Sequence, residues 1–361
     1  MIKKLFMRDF RNFSEVSLSF SDKLNVLTGE NGQGKTNLLE AIFFTGMLRS
    51  FRTSRVADMK KIGSQSFYIS CEADSDGKWT KKLEIEYGEL RKLKIDSSIV
   101  KKASEFIRNL MTVAFSPDDI AIVNGNSRIR RRFIDICISM ESPSYMSALL
   151  EYSEALLSRN RLLRSVSPDI KILRAFEPVM AEKASVISKY RLDYSELLKK
   201  EMQKILCDYM RDETDFDIRY RNSSGTFSKD EYMNKFEKER NKDILRKMTS
   251  FGPQTDEFDF FLNSKLLRCF GSTGQCRFIS LCLKMAELNL LLKTEENIKK
   301  AVVLVDDVTG ELDSRARDYF FKVINRAGQT FFTFTSVPTD KYFKEASIYK
   351  INSGRVASLY V

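Results

Sequence analysis

A glycine-rich segment that ends in lysine and threonine carries the clearest chemical signal of the 361-residue sequence. Residues 29–36 read GENGQGKT and fit the pattern G-x-x-x-x-G-K-[ST]. A mostly apolar stretch, residues 24–28, comes before the segment, and Leu38 and Ile42 recur behind it at helical spacing. The pattern is informative in this context of strand, loop and helix. The sequence therefore predicts a phosphate-binding loop.

Each residue type in this loop has a role in the predicted chemistry. Glycines permit positive φ angles and let backbone amides approach phosphate oxygens, and the helix N-terminus behind the loop favours an anion. Lys35 is expected to contact the β- and γ-phosphates and to assist catalysis, and the Thr36 hydroxyl is expected to bind Mg²⁺. The predicted nucleotide-binding positions are Gly29, Glu30, Asn31, Gly32, Gln33, Gly34, Lys35 and Thr36. A glycine-rich turn that only ends a strand is the alternative interpretation.

A second motif places two acidic residues directly after an apolar run. Residues 301–305 read AVVLV, and Asp306 and Asp307 follow. Such a run is typical of a strand covered on both faces of a parallel sheet, where active sites lie beyond the carboxyl ends of the strands. We expect Asp306 to bind Mg²⁺ opposite Thr36, and Asp307 to act as a catalytic residue that orients or deprotonates the attacking water. An acidic pair that caps a loop is the alternative.

A third motif, GSTGQ at residues 271–275, precedes a nearly all-apolar helical stretch. Small residues, a hydroxyl group and exposed amides at a helix N-terminus suit an anion. Because one chain needs a single phosphate loop for each nucleotide, we expect Ser272, Gly274 and Gln275 to meet the γ-phosphate held by another copy of the protein. A helix start without a ligand is the alternative interpretation.

Composition narrows the classes of function. The chain has no histidine, which excludes His-based acid–base catalysis, Ser-His-Asp triads and Cys/His zinc sites. Its six cysteines form no C-x-x-C pair and are expected to be buried free thiols. The formal charge of +11 fits a polyanionic partner. No apolar run reaches the roughly 20 residues of a membrane span, so we expect a cytoplasmic protein without a membrane partner.

Alternation of polar and apolar residues predicts the strands that position these motifs. Residues 16–20 alternate as a half-buried strand does, and residues 67–96 read as an antiparallel meander with turns at Asp76-Gly77 and Gly88. A charged helix is expected at residues 229–248. Further strands are expected at residues 216–220, 257–263, 301–305 and 330–336, with a closing hairpin at 347–360.

Serine-proline pairs predict helix starts in the middle of the chain. Ser116-Pro117, Ser142-Pro143 and Ser167-Pro168 each place a capping serine before a proline at the first helical position. The sequence that follows is mostly helical to about Met210, with a bend expected at Pro178. The pattern predicts an all-α insertion.

In their order along the chain, the three motifs resemble those of the ATP-binding-cassette (ABC) superfamily. The finer detail resembles the RecF family of bacterial DNA replication and repair ATPases, which is related to SMC heads. The resemblance runs from residue 9 to about residue 317. The segments that carry it are DFRNF, GENGQGKTNLLEAI, RSFRTSR, AFSPDDIAIV, RRRFID, FGP, STGQCR, LKMAELNLLL and VDDVTGELDSRAR.

This resemblance implies a fold and its division into domains. The fold class is α/β: an ABC/SMC-type P-loop ATPase head with a mixed sheet, an antiparallel β-subdomain at about residues 65–100, and an inserted all-α arm domain. The head would comprise residues 1–115 and 212–361, and the arm would comprise residues 116–211. The chain departs from the usual family pattern at Gln254, Thr255, Gly310 and Ser336.

The resemblance also implies an activity. The implied protein is a nucleoid-associated ATPase that uses ATP and Mg²⁺. It would form a homodimer on binding ATP and hydrolyse ATP slowly. It would bind duplex DNA at junctions with single strands. The implied partners are RecR and RecO-type mediators, which act when recombinase is loaded at single-strand gaps. By position, Ser272, Gly274 and Gln275 would form the signature contributed across the dimer, and Asp313 would lie in the nucleotide-contacting loop after the acidic pair.

DNA contacts are expected from basic clusters on the predicted helices. The candidates are Arg128, Arg130, Arg131, Arg132, Arg159, Arg161 and Arg164. Such contacts would be made to phosphates and would be sensitive to salt. A solvated helix face is the alternative, and Arg131 and Arg132 could instead serve a dimer interface. Alternatives to a repair ATPase are an SMC-like head, the ATPase subunit of a transporter, and a nucleotide-binding scaffold without hydrolysis.

Overall fold

The computed structural model describes residues 1–53, 55–74, 80–210, 214–308 and 313–360. Its contacts group the chain into two compact units. The first combines Met1–Asp119 with Leu283–Val361, and the second is Ile120–Cys282. The phosphate-loop segment and the acidic pair therefore belong to the first unit, and the GSTGQ motif belongs to the second.

A six-stranded, mostly parallel sheet lies in the first unit. From one edge to the other its strands are β15 (Arg355–Tyr360), β14 (Ser347–Asn352), β3 (Leu24–Thr28), β13 (Gln329–Phe334), β12 (Ala301–Asp306) and β8 (Met111–Phe115). β3 pairs in parallel with β14 and β13, and β12 pairs in parallel with β13 and β8. The carboxyl ends of β3 and β12 therefore lie at one edge of the sheet, where ligands bind in such folds.

The core of this unit forms because its central strands are apolar on both faces. All residues of β12 up to Val305 are buried, as expected for a strand that is covered on both sides. α1 (Lys35–Met47) packs against β8, β12 and β13 and buries Leu38 and Ile42. The other helices of the unit are α2 (Ala103–Ile107), α10 (Glu295–Lys300) and α11 (Ser314–Ile324). α9 (Thr273–Leu291) starts in the second unit and ends in the first.

An antiparallel sheet completes the first unit. Its strands in spatial order are β2 (Phe13–Ser19), β1 (Ile2–Phe10), β4 (Phe67–Asp74), β5 (Thr80–Tyr87), β6 (Arg91–Ile95) and β7 (Ser98–Ile99). The predicted meander is confirmed as β4, β5 and β6, and the predicted turn at Asp76-Gly77 lies outside the described residues. Sequence patterns did not predict β1, whose charged residues Lys3, Lys4 and Arg8 interrupt its apolar pattern.

The second unit combines helices with a small sheet. The helices are α3 (Ala121–Asn124), α4 (Ser127–Glu141), α5 (Pro143–Leu163), α6 (Ile170–Met210), α7 (Lys229–Arg246) and α8 (Leu267–Phe270). The sheet contains β9 (Phe216–Arg221), β10 (Glu257–Leu262) and β11 (Lys265–Leu266). α6 has 41 residues, which corresponds to about 60 Å of helix, and it continues through Pro178.

The three predicted helix starts have different outcomes. Ser142 caps α5 as expected, because its side chain accepts a hydrogen bond from the backbone of Tyr145 at 3.2 Å. Pro117 instead begins a single 3₁₀ turn. The start predicted at Ser167 is wrong, because α6 begins at Ile170 and the carboxylate of Asp169 accepts the backbone N–H of Lys171 at 2.7 Å.

The compact units divide the chain differently from the predicted domains. Residues 214–282 group with the helices, although the predicted arm ended at residue 211. The reason is that β9 contacts α6: Lys199 pairs with Asp217 at 2.7 Å, and Gln203 accepts the backbone N–H of Phe216 at 3.1 Å. An independent arm role for residues 116–211 stays a prediction.

The structure also bears on the predictions for the cysteines and for membrane-spanning helices. Four of the six cysteines are buried, but Cys207 and Cys269 are exposed, so the prediction of buried thiols is wrong for these two. Both lie on surface positions of helices, where a thiol behaves as a small exposed side chain. In the described ranges, no helix has the length and apolar character needed to cross a membrane.

Candidate nucleotide site

The predicted phosphate loop connects the end of β3 to the start of α1. Its glycines adopt positive φ angles: 149° at Gly29, 80° at Gly32 and 116° at Gly34. A Cβ atom at Gly29 would lie 2.3 Å from the carbonyl oxygen of Ile351, and one at Gly34 would lie 2.7 Å from the side chain of Asn12. Glycine is therefore required at both ends of the loop, for backbone conformation and for space.

Lys35, the first residue of α1, folds back across the loop. Its Nζ donates to the carbonyl oxygen of Gly29 at 2.5 Å and to that of Glu30 at 2.8 Å. Burial lowers the pKa of Lys35 from its usual value, and the negative charges of Asp306 and Asp307 oppose this shift. The ammonium group is thus fixed between the loop and the two aspartates, where it can meet a phosphate.

The two predicted metal ligands lie side by side. Thr36 Oγ1 donates to Asp306 Oδ1 at 3.0 Å, although the residues are 270 positions apart in the chain. Thr333, near the end of β13, donates to the same oxygen at 2.8 Å. Burial raises the pKa of Asp306, and the hydrogen bonds from Thr333 and Thr36 oppose this shift. Sequence patterns did not identify Thr333, since it is one of several polar residues in an apolar strand.

Asp307 has a conformation unlike that of its neighbour. It leaves β12 with φ of 52°, a left-handed conformation that is uncommon for residues other than glycine. Its backbone N–H donates to Thr333 Oγ1 at 3.1 Å, and its side chain is exposed. The backbone therefore turns directly after Asp306, so one carboxylate is held inward and the next is open to solvent.

Hydrogen bonds from polar side chains and from a turn hold the phosphate loop in place. Sequence patterns did not predict this network. Asn12 donates through Nδ2 to the carbonyl oxygen of Gln33 at 2.9 Å and accepts from Asn37 at 2.8 Å. The turn between β14 and β15 holds the loop as well. The N–H of Gly354 donates to the carbonyl oxygen of Gln33 at 3.2 Å, and the N–H of Ser353 donates to the side-chain oxygen of Gln33 at 2.6 Å. The DFRNF segment, which contains Asn12, was the available signal.

A buried ion pair joins the turn after β1 to α1. Arg11 contacts Glu40 through two hydrogen bonds of 2.7 and 2.8 Å, and Glu40 is fully buried. Ser50 also donates to Glu40. The following Arg52 donates to Asn37 at 2.8 Å, and its positive charge opposes the rise in the pKa of Asp306. The RSFRTSR segment thus brings a cation near the predicted metal position.

The GSTGQ motif begins α9 in the second unit. The backbone N–H of Ser272 donates to Gln275 Oε1 at 2.9 Å, and the N–H of Gln275 donates to Ser272 Oγ at 3.2 Å. This reciprocal pair is a capping box. Ser272, Gly274 and Gln275 are all exposed, and a Cβ atom at Gly274 would have no neighbour within 4 Å. The motif therefore presents an open helix N-terminus.

Local hydrogen bonds engage Asp313 and two of the four departures from the family pattern. Asp313 caps α11, where its side chain accepts from the backbone of Ala316 at 2.8 Å. Gln254 Nε2 donates to the carbonyl oxygen of Phe251 at 2.7 Å, and Thr255 Oγ1 donates to that of Gly252 at 2.9 Å. Ser336 is exposed, and Gly310 lies outside the described residues.

Two of the predicted DNA contacts are wrong, because the side chains are buried. Arg130 is 1% exposed and donates to the carbonyl oxygen of Gly125 and to Glu257, at 2.5 and 3.1 Å. Arg159 is 0% exposed and donates to Asp243 and Thr249, at 2.8 and 2.7 Å. Both guanidinium groups serve the interior of the second unit and cannot reach a DNA backbone.

The other predicted DNA contacts are more accessible. Arg131 is half-buried and donates to the carbonyl oxygen of Asp256 at 2.6 Å. Arg132 is half-buried as well. Arg128, Arg161 and Arg164 are exposed. Sequence periodicity could not separate these groups, because arginine serves buried ion pairs and phosphate contacts equally well.

Known proteins share this arrangement of sequence and fold. The family model described as the RecF/RecN/SMC N terminal domain matches residues 1–356. The chain is 36% identical over 350 residues to the DNA replication and repair protein RecF of Ruminiclostridium cellulolyticum, with 93% of each chain covered. It is 33% identical to that of Thermoanaerobacter pseudethanolicus, with 98% of this chain and 99% of the relative covered.

Solved structures agree with these relatives. A structure of the recombination mediator protein RecF with ATP, from the RecFOR pathway, superposes with a TM-score of 0.89 at 32% identity, over 99% of this chain and 97% of the other. An SMC head bound to a domain of ScpA superposes with a TM-score of 0.55 at 14% identity, over 100% and 98% of the two chains, and shows the shared head fold alone. The chain belongs to the RecF family of DNA replication and repair proteins.

Proposed function

We propose that the chain is an ATPase that binds Mg·ATP at the phosphate loop and couples it to dimerisation on DNA. The observation that carries this proposal is the meeting of Thr36 with Asp306, 3.0 Å apart, beside the Lys35 ammonium group. The loop amides and the ammonium would bind the phosphates. The related RecF structure with ATP supports the choice of nucleotide.

The oxygen ligands of the site fit Mg²⁺. The Asp306 carboxylate is held by the hydroxyl groups of Thr36 and Thr333, and Mg²⁺ prefers such hard oxygen ligands, usually one or two carboxylates together with substrate phosphates. Among the described residues, no cluster of three or more His, Cys, Asp or Glu side chains is arranged as a protein-only metal site. Thr36 and Asp306 would hold the ion, which would neutralise phosphate charge.

Hydrolysis would depend on Asp307. Its exposed carboxylate follows directly after Asp306 and can accept a proton from a water molecule or orient that water. A phosphate-release assay with ATP and duplex DNA tests this role. Asp307→Asn should abolish release and retain ATP binding, and Asp118→Asn, at an exposed acid of the same unit, should leave both unchanged. If the wild-type chain binds ATP and releases no phosphate, it is a nucleotide-binding scaffold.

A second copy of the chain would complete each site. Ser272 and the amides near Gly274 are exposed at the N-terminus of α9, which favours an anion. We infer that Ser272 and these amides contact the γ-phosphate bound by the other subunit. The two subunits would be related by a two-fold axis and would bury two nucleotides between them. Asp313 would lie near this interface. Because ATP would join the subunits, turnover would be slow and hydrolysis would release them.

DNA would lie along the basic surface of the closed dimer. The net charge of +11 and the exposed Arg128 support binding to phosphates. Affinity for duplex DNA should fall by more than tenfold between about 50 and 200 mM salt; constant affinity would contradict the electrostatic basis. By family membership, the DNA bound would be a duplex next to a single-strand gap in the nucleoid. The partner proteins would be RecR and RecO-type mediators, and the chain would act in the cytoplasm.

A further inference from the structure

One end of the helical unit exposes apolar side chains that its own core does not cover. They come from the end of α5, the connection to α6, the start of α6 and the end of α7. The residues, with their exposed fractions, are Leu157 (68%), Val166 (105%), Ile170 (48%), Ile172 (49%), Leu245 (84%) and Met248 (50%). We call this set, with the basic residues described next, the arm tip.

Basic residues accompany these apolar side chains. Exposed cations at the same helix ends are Arg161, Arg164, Lys171, Arg174, Arg246 and Lys247. Between residues 154 and 174 the acidic residues are Glu154 and Asp169, and the Asp169 carboxylate already caps α6 through the N–H of Lys171 at 2.7 Å. The arm tip is therefore both apolar and strongly positive.

A buried ion network holds the three helix ends together. Arg159 of α5 donates to Asp243 of α7 at 2.8 Å, and Arg240 of α7 contacts Glu177 of α6 through hydrogen bonds of 2.9 and 2.7 Å. Asn160 accepts the backbone N–H of Thr249 at 2.8 Å. These contacts lie within roughly 10 Å of the helix ends at 1.5 Å per residue. The surface is thus presented on joined helices, which limits the entropy lost on binding.

The chemistry of the arm tip selects its partner. Val166 and Leu245 are almost fully exposed and leave apolar surface in contact with water. Several exposed apolar side chains at one end of a unit mark an interaction site. A DNA backbone would match the cations but would leave the apolar side chains unused. An amphipathic protein segment with an acidic face would match both features, through burial of its apolar face and complementary charge.

We propose that the arm tip is a docking surface for an acidic, amphipathic helical segment of a partner protein. This proposal assigns Arg161 and Arg164 to a protein partner and not to DNA. It is independent of the nucleotide site, because none of its residues belongs to the phosphate loop, the acidic pair or the GSTGQ motif. Binding should therefore occur without ATP.

A synthetic peptide tests this proposal with the full chain. The probe is a fluorescein-labelled helical peptide of about 20 residues, with leucine at i, i+3, i+4 and i+7 and glutamate on the opposite face. Control peptides have the same composition in scrambled order, or lysine in place of glutamate. Fluorescence anisotropy should show saturable binding of the first peptide, and binding of each control at least tenfold weaker.

Substitutions locate the binding surface. Val166→Ser with Ile170→Ser, and separately Arg164→Glu with Lys171→Glu, should each weaken peptide binding at least tenfold. Ile62→Ser removes an apolar side chain that is 98% exposed in the first unit and should change nothing. The Val166→Ser, Ile170→Ser protein should retain the wild-type rate of ATP hydrolysis, which separates this proposal from the proposed function.

Two outcomes would overturn the assignment. One is equal binding of the scrambled peptide. The other is unchanged peptide binding by both double variants; if their affinity for a duplex DNA of about 30 base pairs falls at the same time, the arm tip is a nucleic-acid contact.

Discussion

Lys35 is bound by the carbonyl groups of the loop that it follows, and this fixes where its charge can act. The ammonium group fits between Gly29 and Glu30 at 2.5 and 2.8 Å. A guanidinium group is larger, planar and directs its hydrogen bonds in a rigid fork. Charge at this position can therefore be conserved while its geometry is lost.

We expect Lys35→Arg to bind ATP and to hydrolyse it at least tenfold more slowly, a change of about 1.4 kcal/mol in the barrier. The positive charge still attracts the phosphates, but it cannot occupy the same point. Nucleotide binding by fluorescence and phosphate release measure the two effects. Lys23→Arg, an exposed position before β3, is the matched control. Unchanged turnover in Lys35→Arg would count against the site assignment.

Asp119 provides a test of pH dependence that does not involve the nucleotide site. Its carboxylate accepts the backbone N–H of Ser116 at 2.8 Å, and burial raises its pKa to about 6 while the charge of Lys284 opposes the shift. In the unfolded chain the group titrates near pH 4. Between these values the folded state holds a proton that the unfolded state has lost, so stability falls as pH rises.

Relative to Asp119→Asn, the wild-type protein should therefore lose on the order of 2 kcal/mol of unfolding free energy between about pH 4 and 7. Below this window both states are protonated and the two proteins should differ least. Urea denaturation at several pH values measures the difference. Glu15→Gln, at an exposed acid of the same unit, should follow the wild type throughout. Parallel curves for wild type and Asp119→Asn would show that Asp119 titrates normally.

Residue types alone predicted the nucleotide loop but not its support. Gly29, Lys35 and Asp306 belong to motifs whose spacing along the chain predicts a phosphate and metal site. Asn12 and Thr333 hold these residues through single hydrogen bonds made across the sheet, and no spacing along the chain reveals such contacts. The same limit explains Arg130 and Arg159, whose burial depends on tertiary partners.

At the scale of elements, the helices of the second unit are joined by buried arginines. Arg159 contacts Asp243 at 2.8 Å, and its Nη2 lies 3.6 Å from Glu177. These groups are fully or almost fully buried. Removal of one partner of such an ion pair leaves an uncompensated buried charge, which commonly costs about 3–5 kcal/mol.

Arg159→Met should therefore lower the free energy of unfolding by about 3 kcal/mol or more. Arg161→Met, on the exposed face of the same helix, should change it by less than about 0.5 kcal/mol. Urea denaturation followed by circular dichroism compares the two proteins. An unchanged stability for Arg159→Met, or equal losses for both, would show that the buried network does not hold the helices together.

Local patterns predicted most elements, with errors where a stronger local partner was present. The meander and the closing hairpin follow from alternation and turn residues, and α7 was expected as a charged helix. The start of α6 was misplaced because Asp169, a charged acceptor, caps the helix in place of Ser167. β1 was missed because its exposed residues are charged, and its position between β2 and β4 depends on pairing that a sequence pattern does not contain.

At the scale of the whole molecule, the proposed site depends on two copies of the chain, because the phosphate loop of one copy would meet the GSTGQ motif of the other. The first compact unit holds the loop, the lysine and the acidic pair, and the second compact unit holds the open helix N-terminus at Ser272 and Gly274. A substitution that adds bulk at this N-terminus without disturbing the fold would separate assembly from nucleotide binding. Gly274 is suited to this purpose, because a Cβ atom there meets nothing within 4 Å.

We expect Gly274→Gln to fold normally, to bind ATP as a monomer and to lose the ATP-dependent dimer. The added side chain would fill the space through which a γ-phosphate of the second subunit approaches the helix amides. Sedimentation with a slowly hydrolysed ATP analogue should give twice the monomer mass for the wild type and the monomer mass for the variant. Gly88→Gln, where a Cβ atom would make an ordinary contact of 3.4 Å with Ser66, should dimerise like the wild type. A Gly274→Gln protein that dimerises fully would show that the second phosphate contact does not pass through α9, because the bulk would then stand outside the interface.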